Sequence, residues 1–267
     1  MAVTEDDIAL LTRLVGRFEN SGDPYAGVTG NFDGQGISCG VLQWNIGQGS
    51  LQPMVLAVGE AAVLATMPEF GKAMWRACNA ALGKGMEIVT GWQDGIKLRA
   101  GPRRELQQLM LHPSMRVQQD NRIRKLAERA ETEANAWAAK RGGGPRTRQE
   151  LVLYFDFLTQ NGGMKGVDFD DVQAFKTIAN PGKIDDLICD WLACLNQNFW
   201  GYKDAHKNAD LWRDKVVGSA LDLLVLAYLR SQKSSLKARG DVLNRKGTIA
   251  VRHGNVHGKL YDFKDLL

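Results

Sequence analysis

With 267 residues, 44% of them hydrophobic, the chain can bury a substantial core, which excludes a disordered protein and predicts a single domain over 1–267 built as two lobes. The net charge of +4 is mild, and no apolar run approaches the roughly eighteen residues of a membrane-spanning helix, so no membrane insertion is expected. Four cysteines with no CxxC pair and no Cys/His metal spacing exclude a disulfide-dense scaffold and predict buried thiols.

The first predicted element is a helix. Thr4 caps it with Asp7 at the third position, and Ile8, Leu11, Val15 and Phe18 recur on one face, so that Glu19 arrives at its C-terminal end. Residues 22–36 are rich in Gly, Asp, Asn and Pro, which stops the helix, and 28–32 and 37–43 are predicted to pair as strands across the intervening turn. From Leu51 onward the apolar spacing is helical, over 51–67, 70–82, 104–111 and 115–138. A Thr147/Glu150 capping box opens the next helix and Gly162 closes it, and further helices are predicted over 169–179, 184–199 and 209–232. Asp168, Asp170 and Asp171 read as helix-start residues, as do Asp185 and Asp186. Three glycines and a proline in "KRGGGPRTR" (140–148) make that stretch the expected inter-lobe hinge, and the Gly- and His-containing tail 243–263 reads as structured loop with a short strand at 248–252. The predicted class is mainly α, with a small antiparallel β-sheet near the N-terminus.

Two acids flank that sheet, Glu19 at a helix end and Asp33 in a glycine-rich turn. Each is a commonplace surface residue taken alone. As a pair they meet the requirement of glycosidic hydrolysis, a protonated carboxyl for the leaving oxygen and an ionised carboxylate on the opposite face. Glu19 beside Phe18 is placed to keep its proton, whereas Asp33, among free backbone N–H groups, is placed to lose it.

Glu19-Asn20-Ser21, a turn-rich spacer, and then "DGQGISCGVLQW" (33–44) resemble the catalytic segment of the chitosanases of glycoside hydrolase family 46. They are more similar still to the chitosanase-like muramidase domains of type VI secretion spike proteins and related bacterial effectors. The resemblance is strong over about 18–54 and weaker beyond, and the spacer is a few residues shorter than in the chitosanases. It implies the lysozyme-like fold, α+β in character, in which a helix ending in the acid Glu is followed by a small sheet beside the cleft. It further implies Glu19 as general acid, Asp33 as general base, and Ser38, where the chitosanases carry a Thr, as a residue that helps hold the attacking water. Such an arrangement inverts, with carboxyl groups roughly 6.5–9.5 Å apart. Trp44 is expected either to stack on a sugar or to pack in the core, and Gln43 and Asn45 to bond sugar hydroxyl or acetamido groups. Asn20, Tyr25, Gln35 and His257 complete the expected substrate-side set. Trp191, Trp200 and Trp212 fall on helical patterns and read as core residues.

His253 and His257 lie four apart, but the surrounding glycines argue against a helix that would align them on a metal; no metal or organic cofactor is expected. Residues 97–148 hold thirteen Lys/Arg against five Asp/Glu, either a solvated helical face or a surface for a polyanion. Few aromatics interleave with those basic residues, so nucleic acid is not the expected partner. Chitosan is a polycation, whereas peptidoglycan carries free carboxylates, so the charge favours peptidoglycan glycan strands as substrate and a muramidase as the activity. The alternatives are a chitosanase and a non-catalytic helical module binding wall polymer or nucleic acid. The N-terminus lacks the features of a secretory signal. The expectation is therefore a protein made in the cytoplasm and delivered by a secretion system or phage-type route to the periplasm of a target cell, with a cognate immunity protein as partner.

Overall fold

The computed structural model describes residues 3–19, 23–178 and 183–267, and of residues 15–17 and 19 the backbone only. Among the described residues the chain is mainly helical, with three small antiparallel sheets. It divides into two compact units, one of residues 8–125 and one of residues 1–7 with 126–267.

Helix α1 (Glu5–Glu19) starts at the expected reciprocal cap: Asp7 N–H donates to Thr4 Oγ1 at 3.1 Å and Thr4 N–H to Asp7 Oδ2 at 3.2 Å. In the 8–125 unit its face of Ile8, Leu11, Leu14 and Phe18 is buried. The predicted strand pair forms as β1 (Val28–Thr29) and β2 (Ser38–Cys39), and a third strand, β3 (Trp44–Asn45), pairs with β2 so that Cys39 faces Trp44. Helices α2 (Gln52–Val58), α3 (Glu60–Thr66), α4 (Gly71–Asn79) and α5 (Leu82–Thr90) follow. A hairpin of β4 (Gln93–Asp94) and β5 (Lys97–Leu98), absent from the sequence-based expectation, then precedes α6 (Ala100–Leu111) and α7 (Pro113–Lys140). The division between units falls within α7.

The second unit contains α8 (Arg148–Asn161), α9 (Phe169–Ile178), α10 (Ile184–Ala193), α11 (Tyr202–Trp212), α12 (Gly218–Gln232) and α13 (Arg239–Val251), closed by a hairpin of β6 (His253–Val256) and β7 (Lys259–Asp262). The Thr147/Glu150 capping box and the left-handed Gly162 bound α8 as expected. The carboxylates of Asp168 and Asp171 cap α9, with Asp168 Oδ1 accepting from the Asp170 and Asp171 amides at 2.9 and 3.2 Å. Helix α13 runs through the core of this unit, packed on α8, α11, α12 and β6. It carries Arg245 and Lys246 onto the fully buried Asp156 of α8, Arg245 at 2.7 Å and Lys246 on the other carboxylate oxygen.

Several expectations are corrected. Residues 248–251 close α13, with Arg252 as its left-handed cap, rather than forming a strand, because the burial of 248–250 and the Thr248 hydroxyl bonding back to Asn244 O at 2.7 Å favour the helix; the Gly/Asn/His composition acts one step later, in the β6–β7 turn. Residues 209–232 form two helices, not one. The stretch 140–148 lies inside the second unit and is tied down: Arg141 meets Glu150 at 2.7 Å, and Arg146 meets both Glu131 at 2.6 Å and Asp7 at 2.8 Å. Cys194 is exposed, while Cys39, Cys78 and Cys189 are buried as expected. Trp212 is core, but Trp191 is half-buried and Trp200 is 62% exposed at a helix-entry turn.

Candidate functional site

The 8–125 unit holds nearly all the residues expected to act. Helix α1 ends at Glu19, a position where the negative end of the helix dipole disfavours an anion. The Glu19 side chain and Asn20 lie outside the described residues.

Asp33 sits exposed on the 30–36 loop, whose conformation is set from within and from outside. Within the loop, Asp33 Oδ1 accepts from Gln35 N–H at 3.0 Å, and Asn31 Oδ1 accepts from Gly36 N–H at 2.8 Å. From outside, Gln93 on β4 clamps both ends: its Oε1 accepts from Asn31 N–H at 2.7 Å and its Nε2 donates to Gly36 O at 2.8 Å. Ile96 O takes the Asn31 amide as well, at 3.0 Å. This approach requires glycine at position 30, where a Cβ would stand 2.3 Å from Ile96 O and 2.9 Å from Leu98 N. One carboxylate oxygen of Asp33 is thus held as an Asx turn and the other has no partner among the described residues.

Five residues on, Ser38 is buried in the middle strand, and its hydroxyl has no hydrogen-bond partner among the described residues. Buried hydroxyls ordinarily have one, so an unpaired one beside an exposed acid loop is notable. Its neighbour Cys39 is fully buried, and burial, with a smaller contribution from Cys78, pushes its thiol far above the usual range, which removes it as a nucleophile.

The residues expected on the substrate side divide. Gln35 is half-buried, and its backbone carbonyl accepts from Gly47 N–H at 3.0 Å. A depression lined by Gly47, Gln48, Gln52, Pro53, Leu56 and Leu82 adjoins it through that glycine. Gln43 spends its amide inside the turn, accepting from Thr29 Oγ1 at 3.0 Å and donating to Gly40 O at 3.0 Å, with a left-handed φ of 53°. Trp44 is only 8% exposed, so the core reading holds and the sugar-platform reading does not. Asn45 is corrected too: it is 5% exposed, and its Oδ1 accepts from Gln48 N–H at 2.8 Å to shape the following loop.

Tyr25 is half-buried in a polar cluster. Its hydroxyl donates to Asp120 at 2.6 Å, the Arg116 guanidinium lies 4.7 Å over its ring, and Arg116 pairs with Asp23 at 2.7 Å. Burial first, then the Asp120 hydrogen bond and charge, raises its phenol above the usual range. His257 belongs to the other unit, in the β6–β7 turn, 3.2 Å from Asp241.

The basic residues of 97–148 are divided between the two units, and several are used internally. Arg99 donates to Trp92 O at 3.0 Å and Gly91 O at 2.7 Å, while Arg116, Lys140, Arg141 and Arg146 are all in ion pairs. They do not form one free cationic stripe.

Sequence reasoning missed Gln93 and Asn31, which position the Asp33 loop. A partial signal was present in Gly95: the pairing of Asp94 with Lys97 leaves Gly95-Ile96 as the two-residue hairpin loop, with glycine at its first position at a φ of 58°. No protein-family model matches the chain, and neither a curated protein nor a solved structure does.

Proposed function

We propose that this chain is a peptidoglycan hydrolase of the muramidase type, cleaving the β-1,4 bond between N-acetylmuramic acid and N-acetylglucosamine. Glu19 protonates the glycosidic oxygen as its bond to C1 breaks, and Asp33 takes a proton from the water that attacks C1 from the opposite face, with Ser38 helping to hold that water. The supporting observation is the Asp33 loop, which presents an exposed carboxylate on a frame fixed by Asn31 and Gln93, close in sequence to the buried Ser38 hydroxyl, which has no hydrogen-bond partner among the described residues. A catalytic base needs such a fixed frame, since small misplacements cost rate steeply. The resemblance of 18–54 to the chitosanase-like muramidases supports the same roles, and the net charge of +4 favours a polymer with carboxylates over polycationic chitosan. By that resemblance the enzyme acts in the periplasm of a target cell after secretion-system or phage-type delivery, and the producing cell holds an immunity protein that covers the site.

Mass spectrometry of muropeptides after digestion tests the reading. The expected products end in reducing N-acetylmuramic acid, and Glu19→Gln yields none. Reducing N-acetylglucosamine or anhydro-sugar ends would assign a different reaction, and release of reducing ends from chitosan alone would overturn the substrate.

A further inference from the structure

In the second unit, the last turns of α7, the middle of α8 and the segment entering α9 line an open pocket of about 250 Å³, chiefly through Glu133, Trp137, Lys140, Tyr154, Asp168 and Phe169. Three aromatic rings make its wall. Trp137 stands edge-on to Phe169 with ring centres 5.0 Å apart and tilted to Tyr154 at 6.4 Å.

Lys140 and Asp168 of the lining are paired with each other, whereas Trp137, Tyr154 and Glu133 make no hydrogen bond to a described residue. Trp137 and Tyr154 are 3% and 5% exposed, and the indole N–H and phenol hydroxyl, which make no hydrogen bond to any described residue, keep contact with solvent. The Glu133 carboxylate is likewise without a hydrogen bond or ion pair among them. Burial raises the Glu133 pKa, and Arg129, one turn earlier, offsets part of that effect. Lys140 does not serve as its counter-ion, being taken up by Asp168 at 3.1 Å and Asp170 at 2.6 Å.

We propose that this pocket binds a small organic ammonium ion, seated against the rings of Trp137, Tyr154 and Phe169 with Glu133 as its counter-charge. Ring faces attract a cation within about 6 Å. Glu133 and Asp168 repel an anion, and a neutral guest leaves the partly buried Glu133 carboxylate uncompensated. The site stands whether or not the hydrolase reading does.

The test is an NMR titration of the full chain, following the Trp137 indole N–H, with choline and with its uncharged isostere 3,3-dimethyl-1-butanol. Choline is expected to shift that resonance and to bind at least ~10-fold more tightly than the alcohol, a difference that Glu133→Gln removes. Arg129→Gln, which changes a residue outside the pocket, is expected to keep or strengthen choline binding. Equal binding of the two probes, no shift with choline, or unchanged discrimination in Glu133→Gln would each overturn the proposal.

Discussion

Replacing Gln93 by Leu separates the frame of the candidate site from the fold around it. The variant keeps side-chain bulk but removes the acceptor for Asn31 N–H at 2.7 Å and the donor to Gly36 O at 2.8 Å, together with a longer contact to Val89 O at 3.4 Å. Asn31 N–H retains Ile96 O, so its loss is partial; Gly36 O, in a buried residue, loses its side-chain donor. One newly unsatisfied buried carbonyl costs roughly 1–3 kcal/mol, so a loss of about 2 kcal/mol in urea-unfolding free energy is expected. Lytic activity should fall further than this, by about 100-fold at a temperature where the variant is still folded, because a shift of about 1 Å in the base suffices for such a loss. A turbidity assay on purified peptidoglycan alongside the unfolding curve reads both. Wild-type stability would refute the hydrogen-bond argument; lost stability with full activity would refute the link between this clamp and the reaction.

Asp33→Asn should lower muropeptide release by at least ~100-fold while leaving the unfolding midpoint unchanged, since Asn preserves the turn-forming oxygen. Asp156→Asn should cost about 3–5 kcal/mol in chemical denaturation, because it strands two buried cations. Burial lowers the Lys246 pKa from 10.5 to about 8, against the opposing pull of Asp156. The unfolded chain therefore binds the extra proton between those values, and wild-type stability should rise relative to Lys246→Met as pH goes from about 8 toward about 10; a falling difference would contradict the assignment. Gly247→Ala places a Cβ 2.4 Å from the buried Trp212 ring and should destabilise by about 1–3 kcal/mol in the same assay.

Local signals carried much of the fold. Thr4/Asp7, Thr147/Glu150 and Gly162 mark helix ends by hydrogen bonds that close within a few residues, and the β1–β2 pairing follows from turn composition. What was not legible depends on partners far away in sequence. The helical form of 248–251 follows from burial against other helices, and the anchoring of 140–148 from Arg146 reaching Asp7. The same division runs through the candidate site. The position of Asp33 in a glycine-rich turn could be read directly, but the burial of Trp44 and Asn45 could not, because "LQWN" is equally consistent with a binding surface and a tucked strand. Gln93, sixty-two residues from the amide it receives, left only the glycine of the Gly95-Ile96 turn as a trace.

The ion pair between Asp7 and Arg146 spans 139 positions and joins two segments of the same unit, with the whole of 8–125 intervening. That ordering has a consequence for synthesis. As the chain leaves the ribosome, the 8–125 unit is contiguous and has its own partners in hand, whereas the other unit must hold its first turn in reserve until Arg146 emerges. Closing so long an interval carries an entropic cost that grows only slowly with length, and it is reduced once the intervening residues have already compacted. The molecule is thus arranged so that the half bearing Asp33 can be complete before the half that encloses it in sequence has begun to close.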